Sequence, residues 1–491
     1  MGIDDLTPAE QRVWQAFGRG EGVDFRSGDG DRAQDGASWG PERTVRAAVL
    51  RALLVEAPAQ EGEISGLKLA GARITGRLNL AYGTVDQAVR LRSCHFEHAP
   101  QLYGAQIRAL VLSNSVLPGL SAATLRVDGV LRLTGCQVSG PVLLQGSAVA
   151  GAVFLDNACL GDPLDAENLH EPILQLNHAE IGTDVWAENL VAYGQVRLDA
   201  ATVRGQVNLE AASLHDPGGV AMRAEALSVG TDLRAVRLLA DGEVNLSGAR
   251  IPRRLDLGHA RLSNPEGMAL NVATSVVGEL WLAEAVPIQG SADLNRAQLD
   301  VLHALPTVWP EQVSIDDLKY RMLAPHLPAG QRLPLLDRDG GRYLPHTFEQ
   351  LALAYRAAGD DDAARAVQLA KLRRLRRSLP RHVRAWGYVQ DATVGYGFRP
   401  GRAAAWLLVL LLVGALSFGV SRPRAVNADE APDFNAFVYT VDLLLPVVDF
   451  GQQGAFNPHG WHQWYAYLLI ASGWLFATTI AAGVTRTLSR Q

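Results

Sequence analysis

An 11-residue repeat runs through the middle of this sequence and constrains its fold more than any other feature. Aligned in register, the segments 131–141, 142–152 and 153–163 share one order: apolar, any residue, an apolar residue that is usually leucine, two residues, a small residue, one residue, apolar, and often a glycine two residues later. Further copies of the unit start at Leu67, Leu78, Val89, Val196, Val207, Val244 and Leu255. Apolar residues alternate with polar ones in each copy, which is typical of a short strand with one buried face.

Short strands at a fixed period cannot bury their apolar faces singly, whereas stacked coils share one continuous core. We therefore predict that residues 62–305 form a mainly β fold, a β-helix or solenoid, with about two units in each coil and coils spaced by ~4.8 Å. The repeats resemble those of pentapeptide-repeat and bactofilin-like β-helices, although they depart from the five-residue pattern of the former. That resemblance implies a right-handed coil.

The small position of the repeat accounts for two of the three cysteines. Cys94 and Cys136 stand where other units have alanine, glycine or serine, so we expect both thiols to pack inward and to be unreactive. Together with Cys159 they give no metal-binding spacing. The histidines are scattered over different units, and we expect neither a metal site nor a cofactor.

Composition and charge restrict the class of partner. The chain has 491 residues and a formal net charge of −6. It is several times longer than a typical domain of ~100–200 residues, so more than one module is expected. Nucleic acid is not an expected partner, because the chain has no basic excess with which to displace counterions from phosphates.

A helical cap is predicted over residues 1–61, ahead of the solenoid. Its first helix begins at a capping box in which Thr7 is the N-cap, Pro8 occupies the first helical position and Glu10 closes the box. A second cap helix is predicted over 41–55 from the spacing of its apolar residues. These helices would cover one open end of the solenoid and block edge pairing.

A linker and a helical hairpin are predicted over residues 306–385. Five residues match positions in the first helix and turn of a tetratricopeptide repeat, so residues 347–375 are predicted to form one helical hairpin of that type. They are Leu351, Ala352, Tyr355, Gly359 and Ala364. Stable arrays of such repeats need three or more copies, so packing of a single hairpin against the solenoid is favoured over a peptide-binding groove.

Residues 386–491 are predicted to form a membrane module. The segments 403–420 and 464–484 contain no charged residue and are long enough for two transmembrane helices. By the positive-inside rule, both termini face the cytoplasm of a two-pass plasma-membrane protein, and a basic block before the first span contacts anionic lipid headgroups. That block consists of Lys371, Arg373, Arg374, Arg376, Arg377, Arg381, Arg384, Arg399 and Arg402.

The segment 434–451, between the two predicted spans, is the candidate functional site. It carries an apolar stretch too short to span a bilayer, followed by Asp449, Phe450 and Gly451, and it resembles the pore helix and filter of two-span channels. Asp449 replaces the first glycine of such a filter, which would favour a broad cation pore over potassium selectivity. The competing interpretation is an external interfacial helix on which Asp442 is solvated.

Three features together resemble a family of actinobacterial membrane-associated β-solenoid proteins: the opening Leu6–Glu10, the repeat at Ile74–Leu78 and the two C-terminal apolar segments. That family is often labelled membrane-associated oxidoreductase. A redox activity is implied by the resemblance only, since the sequence has neither a glycine-rich dinucleotide motif after a strand nor a CxxC or CxxCH motif.

Three functions follow as hypotheses. The first is a non-enzymatic, membrane-anchored cytoplasmic scaffold or sensor whose solenoid surface binds a protein partner. The second is a cation channel in which the solenoid gates a pore lined by Asp442 or Asp449. Such a channel must be a homo-oligomer, because two spans per chain cannot enclose a pore alone. The third is an enzyme, either the implied oxidoreductase or a polysaccharide-cleaving β-helix that uses exterior carboxylates such as Asp156, Asp199, Glu210 and Asp256.

Overall fold

The computed structural model describes residues 5–28, 30–56, 64–164, 170–339, 344–378, 400–427, 431–445 and 449–488. The chain divides into two compact units, Met1–Asp360 and Asp361–Gln491.

The first unit is a parallel β-solenoid of about 12 turns. In the described part of this unit the strands belong to two sheets of 18 strands each. The first sheet contains Gly22–Asp24, Leu67–Ala70, Thr84–Arg92, Gln106–Val111, Arg126–Val127, Leu131–Arg132, Ala148–Val149, Val153–Phe154, Glu180–Ile181, Val185–Trp186, Thr202–Val203, Val207–Asn208, Ser228–Val229, Leu233–Arg234, Arg250–Asp256, Val276–Trp281, Gln298–His303 and Lys319–Ala324. The second contains Thr44–Arg46, Arg73–Thr75, His95–Phe96, Val116–Leu117, Leu120–Ser121, Gln137–Val138, Val142–Leu143, Cys159–Leu160, Pro172–Gln175, Val191–Tyr193, Gln195–Arg197, Ser213–His215, Met222–Arg223, Leu239–Asp241, Val244–Asn245, Arg261–Asn271, Gln289–Asp293 and Gln312–Ser314.

A regular coil contains 22 residues, which is two sequence units. Arg126 pairs in register with Ala148, 22 positions along the chain, and Leu131 pairs with Val153 at the same interval. The next unit places Val142–Leu143 in the other sheet. The solenoid and its two units per coil are thus confirmed.

A tight turn closes each unit next to the small position. In one such turn Leu133 O accepts a hydrogen bond from Cys136 N at 3.1 Å, and Gly135 between them has a left-handed backbone with φ 67°. The equivalent residue in other turns is often not glycine, as at Ala200 and Ala226, with φ 52° and 55°. Such a residue costs ~1–2 kcal/mol, so the stacked hydrogen bonds must hold it in place.

The frequent glycine of the repeat has a different cause. A Cβ atom built on Gly151 would lie only 2.6 Å from the carbonyl oxygen of Gly129 in the preceding coil. The small position packs equally closely: Cys94 and Cys136 have no exposed surface, which confirms that they point inward.

Helices α1 (Pro8–Gly18) and α2 (Ala47–Glu56) precede the regular coils. The predicted capping box is present, because Thr7 Oγ1 accepts from Glu10 N while Glu10 Oε2 accepts from Thr7 N. The second helix starts later than predicted, since Pro41–Arg43 forms a 3₁₀ turn and Thr44–Arg46 a strand, and a further 3₁₀ helix covers Ala33–Ser38. Strand pairing therefore begins before the predicted residue 62.

The other end of the solenoid also extends beyond the predicted range, since Lys319–Ala324 still pairs in register. Helix α3 (Ala329–Arg332), the 3₁₀ helix Leu333–Asp337 and helix α4 (Pro345–Ala357) follow. Helix α4 packs on the last strand, where Gln350 Nε2 donates to the carbonyl oxygen of Tyr320.

The second unit is mainly helical. It contains α5 (Asp361–Ser378), α6 (Pro400–Val420), α7 (Ala436–Leu444), α8 (Gln452–Ala455), α9 (Trp461–Leu488) and a two-stranded ribbon of Arg424–Ala425 with Phe456–Asn457. The predicted spans 403–420 and 464–484 fall within α6 and α9. In the described part of the chain, however, no helix is both long enough and apolar enough to cross a membrane, so the two-span prediction is not confirmed.

Candidate functional site

Helix α7, which contains Asp442, packs against both α6 and α9. Aromatic and aliphatic side chains from these helices and from the returning loop form one small core. Its buried members are Phe418, Tyr439, Leu443, Leu444, Phe456, Ala466 and Leu469. The segment 434–445 is therefore built into the helical unit.

Two glycines let α7 approach its neighbours closely. A Cβ on Gly414 of α6 would lie 2.4 Å from Thr440 Cγ2, and one on Gly473 of α9 would lie 2.1 Å from the carbonyl oxygen of Leu444. Near the end of α6, a Cβ on Gly419 would lie 3.9 Å from that of Ala436. Helix α7 therefore runs back along α6, from its C-terminal end toward its middle.

Asp442 is bonded to the backbone that follows its own helix. Its side chain is buried, and its carboxylate accepts hydrogen bonds from Phe450 N at 2.7 Å, Gln452 N at 2.8 Å and Gln453 N at 3.2 Å. Successive backbone N–H groups of this kind form an anion-binding turn. The carboxylate thus holds the return of the chain after α7, and the interpretation in which Asp442 is solvated is wrong.

Asp449, Phe450 and Gly451 lie on the surface of the same unit. Asp449 is exposed, and its Oδ1 accepts from Gly451 N at 2.7 Å. Phe450 donates its backbone N–H to Asp442 while its ring remains 57% exposed. The structure therefore joins Asp442 to Phe450 and leaves the Asp449 side chain at the surface.

The basic block divides between described and undescribed segments. Lys371, Arg373, Arg374, Arg376 and Arg377 lie in the last two turns of α5, where positive charge interacts favourably with the helix dipole. Arg402 lies near the start of α6. Arg381, Arg384 and Arg399 lie outside the described residues.

Large apolar side chains are exposed along α6, at α7 and along α9. They are Trp406, Leu408, Val409, Leu412, Val413, Leu416, Val420, Phe437, Trp461, Trp464, Tyr467, Leu468, Trp474 and Leu475. Exposed apolar surface of this extent marks a contact with a membrane or another protein.

On the solenoid, one exterior row of the first sheet carries aromatic and cationic side chains. The Arg132 guanidinium lies 3.7 Å from the Phe154 ring centroid, and Phe154 pairs in register with Trp186. Further along, Trp281 and His303 stack with centroids 3.8 Å apart. Aromatic residues and arginine are the types most often found at the centres of protein interfaces.

A charged groove of about 500 Å³ opens on the same sheet. It lies where the strand Arg250–Asp256 bulges between Ile251 and Arg254. Arg254 forms an ion pair with Glu279 at 2.7 Å, and Arg253 approaches Asp232 at 3.5 Å. The sequence does not mark this groove, because Pro252 and Arg253 fall within a unit of regular length between Val244 and Leu255, and the register shifts only against the next coil.

Three of the four exterior carboxylates lie in or just after strands of the first sheet, and Asp199 follows a strand of the second. Glu210 pairs with Arg234 and Arg237 at the first sheet. Asp199 pairs with Arg197 and Arg223 at the second. Asp156 and Asp256 each accept from a nearby backbone N–H, from Glu188 and Gly258 respectively.

Several histidines have a carboxylate neighbour that sequence analysis did not predict. The pairs are His170 with Asp216, His215 with Asp241, His259 with Glu284, His326 with Asp360 and His346 with Asp316. The coil register explains one of them, since His215 and Asp241 are strand partners in adjacent coils. Within the described residues no three His, Cys, Asp or Glu side chains are grouped so as to hold a metal ion.

No protein-family model matches this chain, and no curated protein or solved structure matches it significantly.

Proposed function

We propose that this chain is a membrane-attached scaffold, in which the C-terminal helices are embedded in a bilayer and the solenoid presents a binding surface to a protein partner. The observation that carries the proposal is the exposed apolar surface of α6, α7 and α9. Exposure of such a surface to water is unfavourable, whereas lipid tails can cover it without burying any polar group.

The aromatic residues of α9 support a bilayer as the occupant of this surface. Trp461 and Trp464 are both exposed in the first turn of the helix, and Tyr467 follows one turn later. Trp and Tyr are enriched at the headgroup level of membranes. The basic end of α5 adds about 1 kcal/mol per Lys or Arg where it lies close to anionic lipid.

The solenoid supplies the second half of the proposal. Its aromatic and cationic row and its charged groove lie on the same sheet, and both combine side chains suited to a protein interface with fixed positions on a rigid scaffold. We propose that the partner binds this sheet, in the cytoplasm.

Flotation of the purified full-length chain with liposomes tests the membrane half. Leu416→Glu, which places a charge on the exposed face of α6, should reduce the bound fraction several-fold, because a buried charge in a bilayer costs ~3 kcal/mol. Leu305→Glu, at an exposed leucine of the solenoid, is the matched control and should bind as the wild type does. Equal binding by both variants, or none by the wild type, contradicts the proposal.

A cation channel is the second candidate, and the packing of α7 between α6 and α9 favours it. The informative substitution is Asp449→Asn, because the Asp449 side chain is at the surface and only its bond to Gly451 N is affected. Asp442→Asn weakens three backbone contacts within the chain, so it tests folding as much as conduction. Ion flux into liposomes should be absent for a scaffold, and flux that Asp449→Asn alters would establish the channel instead.

A further inference from the structure

A cavity of about 220 Å³ lies at the end of the solenoid, between the last strand and helix α4. Leu323 and Leu327 form one wall, Ala354 and Tyr355 of α4 form another, and Arg332 closes the inner end. A smaller cavity of about 40 Å³ lies beside it and also has Arg332 in its wall. All of these residues belong to the first unit.

Arg332 is unusual among the charged residues of this region. It is 7% exposed, its Nη2 donates to the carbonyl oxygen of Pro325, and its buried Nε has no hydrogen-bond partner. Neither cavity has an aspartate or glutamate among its described wall residues. Burial, the largest effect, lowers the pKa of Arg332, whereas the phenols of Tyr355 and Tyr320 raise it, Tyr355 partly through a side-chain hydrogen bond.

The other two basic side chains at the cavity have acidic neighbours. His326 Nε2 lies 3.1 Å from Asp360, and Arg321 lies 4.0 Å from Asp300. The Tyr355 hydroxyl donates a hydrogen bond to the carbonyl oxygen of Leu327. Among the described residues of the cavity walls, Arg332 is thus the one arginine or histidine without a carboxylate neighbour.

A buried, uncompensated charge costs several kcal/mol, and buried charges in proteins are normally paired. We propose that this cavity binds a small organic acid, with its carboxylate on Arg332 and a short hydrocarbon chain against the apolar wall. A guanidinium binds a carboxylate through two parallel hydrogen bonds, which gives both strength and orientation. The cavity is smaller than the ~300–1,000 Å³ of drug-sized sites, which restricts the ligand to a few carbons.

The charge balance distinguishes a carboxylate from a phosphate. One carboxylate neutralises the single charge of Arg332. A phosphate monoester carries up to two negative charges at neutral pH. Its second charge would have no basic partner at the cavity, because His326 already pairs with Asp360. This inference does not depend on the membrane attachment proposed above.

Calorimetric titration of the full-length protein with hexanoate, hexanol and hexyl phosphate tests the proposal. Hexanoate should bind, and hexanol should bind at least about tenfold more weakly, which corresponds to about 1.4 kcal/mol. Arg332→Gln should abolish the preference for hexanoate. Tighter binding of hexyl phosphate than of hexanoate would instead identify a phosphate site and overturn the choice of a carboxylate.

Two further variants keep the test decisive if Arg332→Gln does not fold. Ala358→Phe adds a ring at an exposed wall residue beyond the last turn of α4, so it should block hexanoate while the protein stays folded. Arg338→Gln removes a neighbouring arginine that donates to the carbonyl oxygens of Trp309 and Pro310, and it should leave hexanoate binding unchanged. Absence of hexanoate binding to the wild type, or unchanged binding to Ala358→Phe, would refute the site.

Discussion

At the residue scale, the tight turns of the solenoid hold non-glycine residues in a left-handed conformation. Ala200 and Ala226 are both exposed and have φ of 52° and 55°, so their methyl groups bury little surface and strain the backbone. Ala200→Gly and Ala226→Gly should each raise the free energy of unfolding by about 0.5–1 kcal/mol, the relief of strain exceeding the entropy that glycine adds to the unfolded chain. Thermal unfolding followed by circular dichroism measures the change.

Gly146→Ala is the matched control for these substitutions. Gly146 has φ 64°, and an added Cβ would meet only Thr124 Cγ2, at an ordinary distance of 3.5 Å. Its destabilisation should therefore be close in size to the gains at Ala200 and Ala226. A loss of stability in the two glycine variants would show that the turns are not strained.

The cysteines of the small position should be unreactive. Burial raises the pKa of Cys94 and of Cys136 to about 12. At pH 8 only about one thiol in ten thousand is then the reactive thiolate. After treatment of the native protein with N-ethylmaleimide, mass spectrometry should find both unmodified and any label at the less buried Cys159, whereas labelling in urea should reach all three. Rapid native labelling of Cys136 would contradict the packing.

At the scale of elements, helix α1 is fixed to the first coils through one buried carboxylate. Burial alone would raise the pKa of Glu10, but hydrogen bonds from the Arg46 side chain and from the backbone of Thr7 and Arg46 lower it instead. A lowered pKa stabilises the fold above the ordinary value of about 4.3, and this contribution is lost as the pH falls through the folded pKa.

Glu10→Gln should therefore destabilise the N-terminal cap by about 2 kcal/mol at neutral pH, because Arg46 then lacks its counter-charge. The difference from the wild type should shrink as the pH falls from about 4.3 through the lowered pKa of Glu10 in the folded protein, where the carboxylate becomes protonated. Hydrogen exchange of α1 across this pH range measures the effect. A difference that stays constant with pH would mean that the charge of Glu10 is unimportant.

Some of these elements could be predicted from the sequence and others could not. The strands and the inward position of Cys136 were predictable, because burial on one face imposes a period of two and the turns impose a period of 11. The strand Gly22–Asp24 was not, since a three-residue strand with one buried residue has no period. The hydrogen bonds of the Asp442 carboxylate could not be predicted either. Their donors are backbone N–H groups, which every residue except proline has, so the sequence does not mark them.

At the scale of the whole molecule, the 22-residue coil, and not the 11-residue repeat, is the segment that can be deleted without disturbing the fold. Deletion of residues 180–201 removes 22 residues and joins Ala179 to Thr202. Thr202 is the strand partner of Glu180 in the next coil, so it would take the place of Glu180 in the sheet. The shortened solenoid should fold with a similar circular dichroism spectrum. Deletion of residues 180–190 removes half a coil, so it would move every later strand into the other sheet. This shorter deletion should therefore abolish cooperative unfolding. Similar stability of the two deletions would contradict a two-unit coil.

The 22-residue register also bears on how the chain folds during synthesis. Parallel sheets usually fold slowly, because their strand partners are distant in sequence and long loops must close first. Here Arg126 needs only Ala148, so contacts form between close neighbours along the chain. At a synthesis rate of ~5–20 residues per second, a new coil leaves the ribosome about every 1–4 s and can dock on the previous one. The solenoid can therefore grow from its N-terminal cap in order, without waiting for the C-terminal helices.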